Sequence, residues 1–189
     1  MNQPEIIVQL QQGDEQAFKK LVDEWQNMVY NTALGIVQNE NDADDITQEV
    51  FIQVYKSVSS FKGNSTFSTW LYRITVNKSL DYLKRIKTKN RFAFIQSLFG
   101  SNHYNHPAEF VHPGVLLENK ERATALFKAL QQLPNNQRIA FTLHKLEAQK
   151  YEDVAEIMNI SLPATESLIA RAKNNLRKKL RDYYLQNIV

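Results

Sequence analysis

Apolar residues recur three and four positions apart along nearly the whole chain, and that spacing confines it to helices. Ile46, Val50 and Val54 lie four apart, with Phe51 widening the stripe they form. Phe18, Leu21, Val22, Trp25, Met28 and Val29 recur in the same way, as do Phe67, Trp70, Leu71, Ile74, Leu80 and Leu83. A helix gathers such positions on one face, whereas a half-buried strand needs strict alternation. Only 5 glycines and 5 prolines punctuate 189 residues, which disfavours a turn-rich β fold and a glycine-rich nucleotide loop. No strand, hairpin, internal repeat or low-complexity pattern emerges. The expectation is an all-α chain.

Its punctuation divides that chain. Asp14 can cap a helix over 14–38, with Glu15 and Gln16 in its first turn. A second helix follows the polar break at 38–42. A short break at Ser57–Ser60 and a loop over Phe61–Thr66 precede a third, for which Ser65 or Thr66 is the candidate cap. Periodicity is lost over 86–115, where Gly100, Pro107, Pro113 and Gly114 fall, so this stretch reads as a linker, although Phe92, Phe94 and Phe99 suit a helical or docked part. It exceeds the usual connection length, which points to a functional or flexible role. Helices then resume over 116–132 and 138–146, with Leu133-Pro-Asn-Asn as the turn between them. A short helix over Tyr151–Met158, a turn at Asn159-Ile-Ser161 and a long helix over Leu162–Leu185 complete the chain. The expected organisation is two small helical domains, 1–85 and 116–189, joined by 86–115.

Composition narrows function. Hydrophobic residues make up 43%, enough for a core, and the net charge of +3 leans mildly toward nucleic acid. With no cysteine there is no disulfide, thiolate metal site or cysteine nucleophile, which fits a reducing cytoplasm. His103, His106 and His112 fall in the linker and His144 on a helix; no metal site or cofactor is expected from them. The N-terminus lacks the basic and apolar regions of a signal peptide, and no stretch approaches the ~18 apolar residues of a membrane span.

Three constellations remain. Phe61, Lys62, Gly63, Asn64, Ser65, Thr66, Trp70, Arg73, Asn77 and Lys78 combine aromatics, small polar groups and cations, the types that stack unpaired bases, read their edges and neutralise phosphate. A buried helix with a solvated basic end accounts for the same residues equally well. Residues 151–179 have the helix, short turn and Ser-Leu-Pro start of a helix-turn-helix. Thr165, Ile169, Ala172 and Leu176 form its inward stripe, while Ser161, Pro163, Ala164, Glu166, Ser167, Arg171, Lys173 and Arg177 are candidates to face a major groove. Finally, Asp42, Asp44, Asp45, Gln48 and Glu49 crowd a helix start, where carboxylates favour the positive end of the macrodipole. Ile52 and Tyr55 continue that face. A merely solvated surface does not need them, whereas a docking face for a basic partner does. No nucleophile or metal-type group accompanies the carboxylates, so they do not read as catalytic.

These motifs together resemble the sigma-70 family of bacterial RNA polymerase sigma factors, of the extracytoplasmic-function (group IV) type. Asp42-Ala-Asp-Asp-Ile-Thr-Gln-Glu-Val-Phe51 is close to the family's core-polymerase-binding motif, and Phe61-Lys-Gly…Phe67-Ser-Thr-Trp-Leu-Tyr-Arg-Ile-Thr-Val-Asn77 to its −10-melting segment. Leu133-Pro…Gln137-Arg…Phe141…Tyr151 to Ser161 and Arg171-Ala-Lys are similar to region 4. The resemblance implies that domain 1–85 is region 2, with Asp42, Asp44, Asp45, Gln48, Glu49, Ile52 and Tyr55 docking on the clamp of the polymerase's largest subunit. Phe61–Thr66 would hold a flipped −10 base, with Trp70, Arg73, Asn77 and Lys78 alongside. Domain 116–189 would be region 4, docking on the polymerase flap and reading the −35 major groove with its last helix. It further implies promoter DNA as a partner, an anti-sigma factor, no catalysis of the chain's own and a cytoplasmic location.

Glu166 and Leu168 depart from the family, where basic residues are common. A glutamate can accept from a cytosine amino group, so the −35 preference stays open. Two other readings compete: a polymerase-independent helix-turn-helix regulator, which leaves the Asp42–Phe51 and Phe61–Asn77 motifs unexplained, and an all-α interaction module that binds neither DNA nor polymerase.

Overall fold

The computed structural model describes residues 3–97 and 120–187. They form eight α-helices and, among the described residues, no strand. The first four are α1 (Gln3–Gln11), α2 (Glu15–Val37), α3 (Glu40–Ser57) and α4 (Phe67–Ser97). The second four are α5 (Lys120–Gln131), α6 (Asn135–Phe141), α7 (Tyr151–Met158) and α8 (Leu162–Asn187). A 3₁₀ turn over Val58–Ser60 follows α3, and a π turn over Thr142–Leu146 follows α6.

Local chemistry sets the boundaries. Asp14 accepts from the amides of Gln16 and Ala17 at 2.8 and 3.1 Å, capping α2 as expected. Gln38, left-handed at φ 62, closes it. Asn39 caps α3 through the Asp42 amide at 3.0 Å, and Thr66, the second of the two candidates, caps α4 through the Thr69 amide at 3.1 Å.

Three elements differ from the sequence expectation. Helix α1 had no counterpart; Ile6 and Leu10 anchor it as a single short apolar stripe. Helix α4 runs on to Ser97, through the first part of the 86–115 stretch, because the lysines and arginines there are good helix formers. The rest of that stretch, with His103, His106 and His112, lies outside the described residues. Helix α6 begins at Asn135 rather than 138. Pro134 is extended at ψ 141 and its carbonyl already accepts the Arg138 amide at 3.0 Å, so the expected turn is the helix start.

Helices α2, α3 and α4 pack mutually, with α1 against α2 and the 3₁₀ turn. Ile46, Val50, Val54 and Leu71 are fully buried there. Helices α5, α6 and α7 pack on α8 around Leu130, Ile139, Leu143 and Ile169. Truncating any of these to alanine would cost about 2–5 kcal/mol.

The two bundles touch. The π turn and α6 lie on α2, and α7 lies on α4. Gly35 permits the approach: a Cβ there would stand 2.6 Å from Thr142 Cγ2, a distance real Cβ atoms do not tolerate. In the space left, Thr142 Oγ1 donates to the Gly35 carbonyl at 3.2 Å.

Candidate nucleic-acid and polymerase interfaces

Helix α3 presents two different flanks. Asp44, Asp45, Gln48, Ile52 and Tyr55 are exposed, Ile52 at 54% and Tyr55 at 58%. Asp42 and Glu49 are half-buried and turn toward α4. Glu49 pairs with Arg85 at 3.1 Å and Lys78 at 3.7 Å, while Asp42 lies beside the Tyr82 hydroxyl. Burial, followed by the Asp42 contact, pushes that hydroxyl upward. The acidic set proposed from sequence therefore comprises an outward face and an inward brace.

Beside the outward face runs an apolar groove of about 490 Å³ between α2 and α3, lined by Phe18, Val22 and Gln26 from one side and Thr47, Gln48, Phe51, Ile52 and Tyr55 from the other. Phe18 and Tyr55 meet edge to face at 5.3 Å. Sequence reasoning placed Phe18 and Val22 on the core stripe; they are only half-buried, at its margin.

The loop before α4 stands on an aromatic platform. Phe61 lies 5.8 Å from Phe67 and 5.1 Å from Trp70, ring centre to ring centre, and Trp25 completes the cluster at 6.0 Å from Phe67. Phe67 is buried, Phe61 and Trp70 half-buried. Above them Lys62, Gly63, Asn64 and Thr66 are exposed and Ser65 half-exposed. Gly63 sits at φ +70, where a side chain would strain the turn although nothing lies within 4 Å. Gln11, unnoticed in the sequence, donates from Nε2 to the carbonyls of Val58 and Phe61 at 3.1 and 3.2 Å. The Thr66 hydroxyl is engaged with Thr69 and Ser68.

Along α4, Asn77 is exposed, whereas Lys78 and Arg73 have protein partners. Arg73 donates from Nε and Nη2 to the Glu156 carbonyl at 3.0 and 2.8 Å, and from Nη2 to the Glu156 carboxylate at 3.3 Å. Next to it in sequence, Tyr72 donates to Glu147 Oε2 at 3.3 Å and accepts from Gln149 Nε2 at 3.2 Å. Burial raises the Tyr72 hydroxyl and, acting first, also raises the Glu147 carboxyl; hydrogen bonds from Tyr72 and Thr32 oppose the second shift.

The helix-turn-helix has the expected form. Asn159 is left-handed at φ 53, and the Ile160 amide reaches back to the Ala155 carbonyl at 3.0 Å, closing α7. Ser161 starts α8, its carbonyl accepting the Thr165 amide at 3.0 Å. Thr165, Ile169, Ala172 and Leu176 are buried; Ser161, Pro163, Glu166, Arg171 and Arg177 are exposed, with Ala164, Ser167 and Lys173 half-exposed. Leu168 packs against the core. Lys179 is drawn aside to Gln132 Oε1 at 2.7 Å. His144 holds the Gln149 carbonyl through Nδ1 at 2.9 Å and stacks on Tyr151.

An exposed basic helix behind a tight turn and an aromatic loop on a separate bundle define a DNA-binding protein with two unlike grips. Residues 21–89 match Sigma-70 region 2, and residues 123–176 match Sigma-70, region 4. The chain is similar to the ECF RNA polymerase sigma-E factor of Haemophilus influenzae, with 34% identity over 93% of each chain. In fold it resembles CnrH in its complex with the cytosolic domain of CnrY, with a TM-score of 0.68, 20% identity and coverage of 95% of this chain and 97% of that one. It also resembles the sigma factor RpoE of Bartonella quintana in complex with the anti-sigma factor NepR, with a TM-score of 0.64, 22% identity and coverage of 87% and 96%. The chain belongs to the extracytoplasmic-function sigma factors of the sigma-70 family. It binds core RNA polymerase and directs initiation at promoters, region 2 melting the −10 element and region 4 binding the −35 element. Among the described residues no helix is long and apolar enough to cross a membrane, and no histidine and carboxylate group could hold a metal.

Proposed function

We propose that the outward flank of α3, Asp44, Asp45, Gln48, Ile52 and Tyr55 with the groove beside it, is the surface that docks on the clamp of the polymerase's largest subunit. The observation that carries this is the pair of large apolar side chains left exposed among carboxylates; a solvated helix has no use for them, and a partner with basic and apolar faces does. Asp42 and Glu49 serve it indirectly, by bracing α3 on α4. The loop Phe61–Thr66 receives the flipped −10 base, its free polar groups being Lys62, Asn64 and Ser65, with the Phe61–Trp70 platform beneath and Asn77 and Lys78 along the upstream path. Residues Ser161–Arg177 of α8 enter the −35 major groove, with region 4 also touching the flap.

The domain limits follow: region 2 over 1–85, a connection over 86–115 and region 4 over 116–189. The protein acts in the cytoplasm and is no catalyst itself, since its relatives are RNA polymerase sigma factors and the polymerase performs the chemistry. An anti-sigma factor as regulator is supported by the likeness to RpoE, which was seen held by one.

Multi-round transcription on fragments of the source genome, with core polymerase and with or without the protein, tests this. Discrete protein-dependent transcripts, lost in Asp45→Lys together with polymerase binding, are the expected result. Transcripts that survive Asp45→Lys and an Ile52→Asp change would move the docking surface elsewhere.

A further inference from the structure

The outward line of the recognition helix holds a carboxylate that the fold does not account for. Pro163, Glu166, Ala170, Asn174 and Arg177 follow one another along α8 at intervals of three or four residues, and all are exposed. Between Leu162 and Arg181 the helix carries six cations, and Glu166 is its one acid. A carboxylate on a surface that otherwise attracts phosphate weakens that attraction. Three ordinary reasons for placing one there fail. The residues three and four positions away on either side are Leu162, Pro163, Ile169 and Ala170, so no cation of the same helix stands within pairing reach. Among the described residues the ion pairs belong to Glu49, Asp81 and Glu156, and Glu166 takes part in none. Glu166 is also the fifth residue of α8, beyond the first turn to which the pull of the helix dipole on carboxylates is confined.

Its surroundings suit it to a base instead. The early turns of a recognition helix are the part that meets base edges. Ala170, one turn on, has no side chain beyond Cβ, so it lets the helix lie close to a groove floor that the longer Glu166 can reach. Leu168 packs against the core and takes no part. A carboxylate only accepts, so in the major groove it needs an amino group. Guanine offers N7 and O6 and thymine offers O4, all acceptors that repel it. The N6 amino group of adenine lies between two acceptors, its own N7 and the O4 of its thymine. The N4 amino group of cytosine has an acceptor on one side only, the O6 of its guanine, with C5–H on the other. Cytosine is therefore the base that a lone carboxylate favours.

We propose that Glu166 is a specificity-determining residue of region 4. Its carboxylate accepts a hydrogen bond from the N4 amino group of a cytosine, and the −35 element used by this factor carries a cytosine, paired with guanine, where Glu166 meets the groove. This rests on the placement of Ser161–Arg177 in the −35 major groove.

Promoter selection with the full chain and core polymerase tests it. A promoter library randomised through the −35 element is transcribed with wild type, Glu166→Gln or Glu166→Ala, and the sequences that yield transcripts are read. Glu166 is exposed, so both variants keep the fold. Wild type is expected to demand cytosine at one position, a wrong base there lowering use roughly tenfold. Glu166→Gln should move that position alone to adenine, whose N6 and N7 match a glutamine amide, and Glu166→Ala should erase the preference there. The same selected sequence for all three proteins would overturn base reading by Glu166. So would a uniform rise in the use of every sequence by both variants, the mark of a carboxylate that merely repels phosphate. A position that responds to the variants but at which wild type selects a base other than cytosine would overturn the cytosine assignment. Wild-type transcription indifferent to every −35 position would instead sink the groove placement of α8 itself.

Discussion

The Arg73 guanidinium caps the carbonyl of Glu156 in the last turn of α7, 83 residues away in sequence. That turn carries the partial negative charge of the helix, so a cation is well placed there. The Glu156 carboxylate adds an ion pair at 3.3 Å, but both side chains are more than a third exposed and that pair contributes little. Arg73→Ala should therefore lower stability by at most about 1 kcal/mol. Opening of the −10 element should fall roughly tenfold or more, the loss expected of one nucleic-acid contact worth about 1–3 kcal/mol. Permanganate reactivity of −10 thymines checks this; unchanged reactivity at equal polymerase occupancy would remove Arg73 from the promoter interface.

Ile52 is 54% exposed and has no structural duty visible in the fold. Ile52→Ala should leave the denaturation midpoint within about 0.5 kcal/mol of wild type, as surface substitutions do. Yet it should weaken polymerase binding by about tenfold if the residue is buried at the centre of a docking surface. Phe51→Ala is the contrast. That residue is buried at 7% exposure, and its loss should cost about 3–5 kcal/mol of stability. A polymerase titration beside a denaturant titration separates the two.

How much of this was legible beforehand depends on what each residue faces. The stripe Ile46, Val50 and Val54 and the inward set Thr165, Ile169, Ala172 and Leu176 were readable because one buried face imposes helical spacing. Asp14 and Ser161 were readable because capping is local chemistry. The end of α4 was not, since beyond Leu83 the sequence carries no apolar period to read. The π turn over Thr142–Leu146 has no sequence signature, and a single apolar stripe on α1 is too short to announce a helix. Among site residues, composition found the cations and aromatics but not their partners. Glu49 with Lys78, and Arg73 with Glu156, are long-range pairings that only tertiary structure specifies. Gln11 carried no signal because a lone glutamine in a polar run acquires its role only from the two carbonyls folded against it.

Those two carbonyls make Gln11 a test of the loop. Its amide ties Val58, which opens the 3₁₀ turn, to Phe61, where the −10 loop begins. Both bonds lie near solvent, so Gln11→Ala should cost no more than about 1 kcal/mol of stability. Gln11→Glu should be worse, because a carboxylate would face two carbonyl oxygens with no donor between them. Affinity for a single-stranded −10 oligonucleotide should fall in the order Gln11, Ala, Glu, with polymerase affinity constant. Equal affinities across the series would show that the loop holds its shape without α1.

Glu147 gives the fold a pH dependence whose sign is fixed. Its carboxyl is raised by burial, so the folded chain binds a proton more readily than the unfolded chain, where a glutamate titrates at about 4.3. The contribution is complete below that value and is lost as pH rises through the raised folded value. Tyr72, also raised, stays protonated and keeps donating throughout. Glu147→Gln removes the charge while retaining an oxygen for Tyr72. Its melting temperature should exceed that of wild type by a margin that grows with pH above about 4.3 and then levels off. A constant margin across the range would mean that Glu147 is charged alike in both states.

The recognition helix allows the sharpest separation of roles. Arg171 is exposed and Lys173 half-exposed on α8, and no part of the groove near Ile52 or of the loop at 61–66 depends on them. Each cation that neutralises a phosphate releases a counterion, so log affinity against log salt steepens by about 0.9 per contact. Arg171→Ala with Lys173→Ala should make the salt slope of promoter binding by the polymerase complex shallower by roughly 2 and abolish use of −35-dependent promoters. Polymerase binding and the affinity for single-stranded −10 DNA should not change. A slope unaltered by both substitutions would mean that the duplex meets region 4 along some other face, and the assignment of Ser161–Arg177 to the major groove would fall with it.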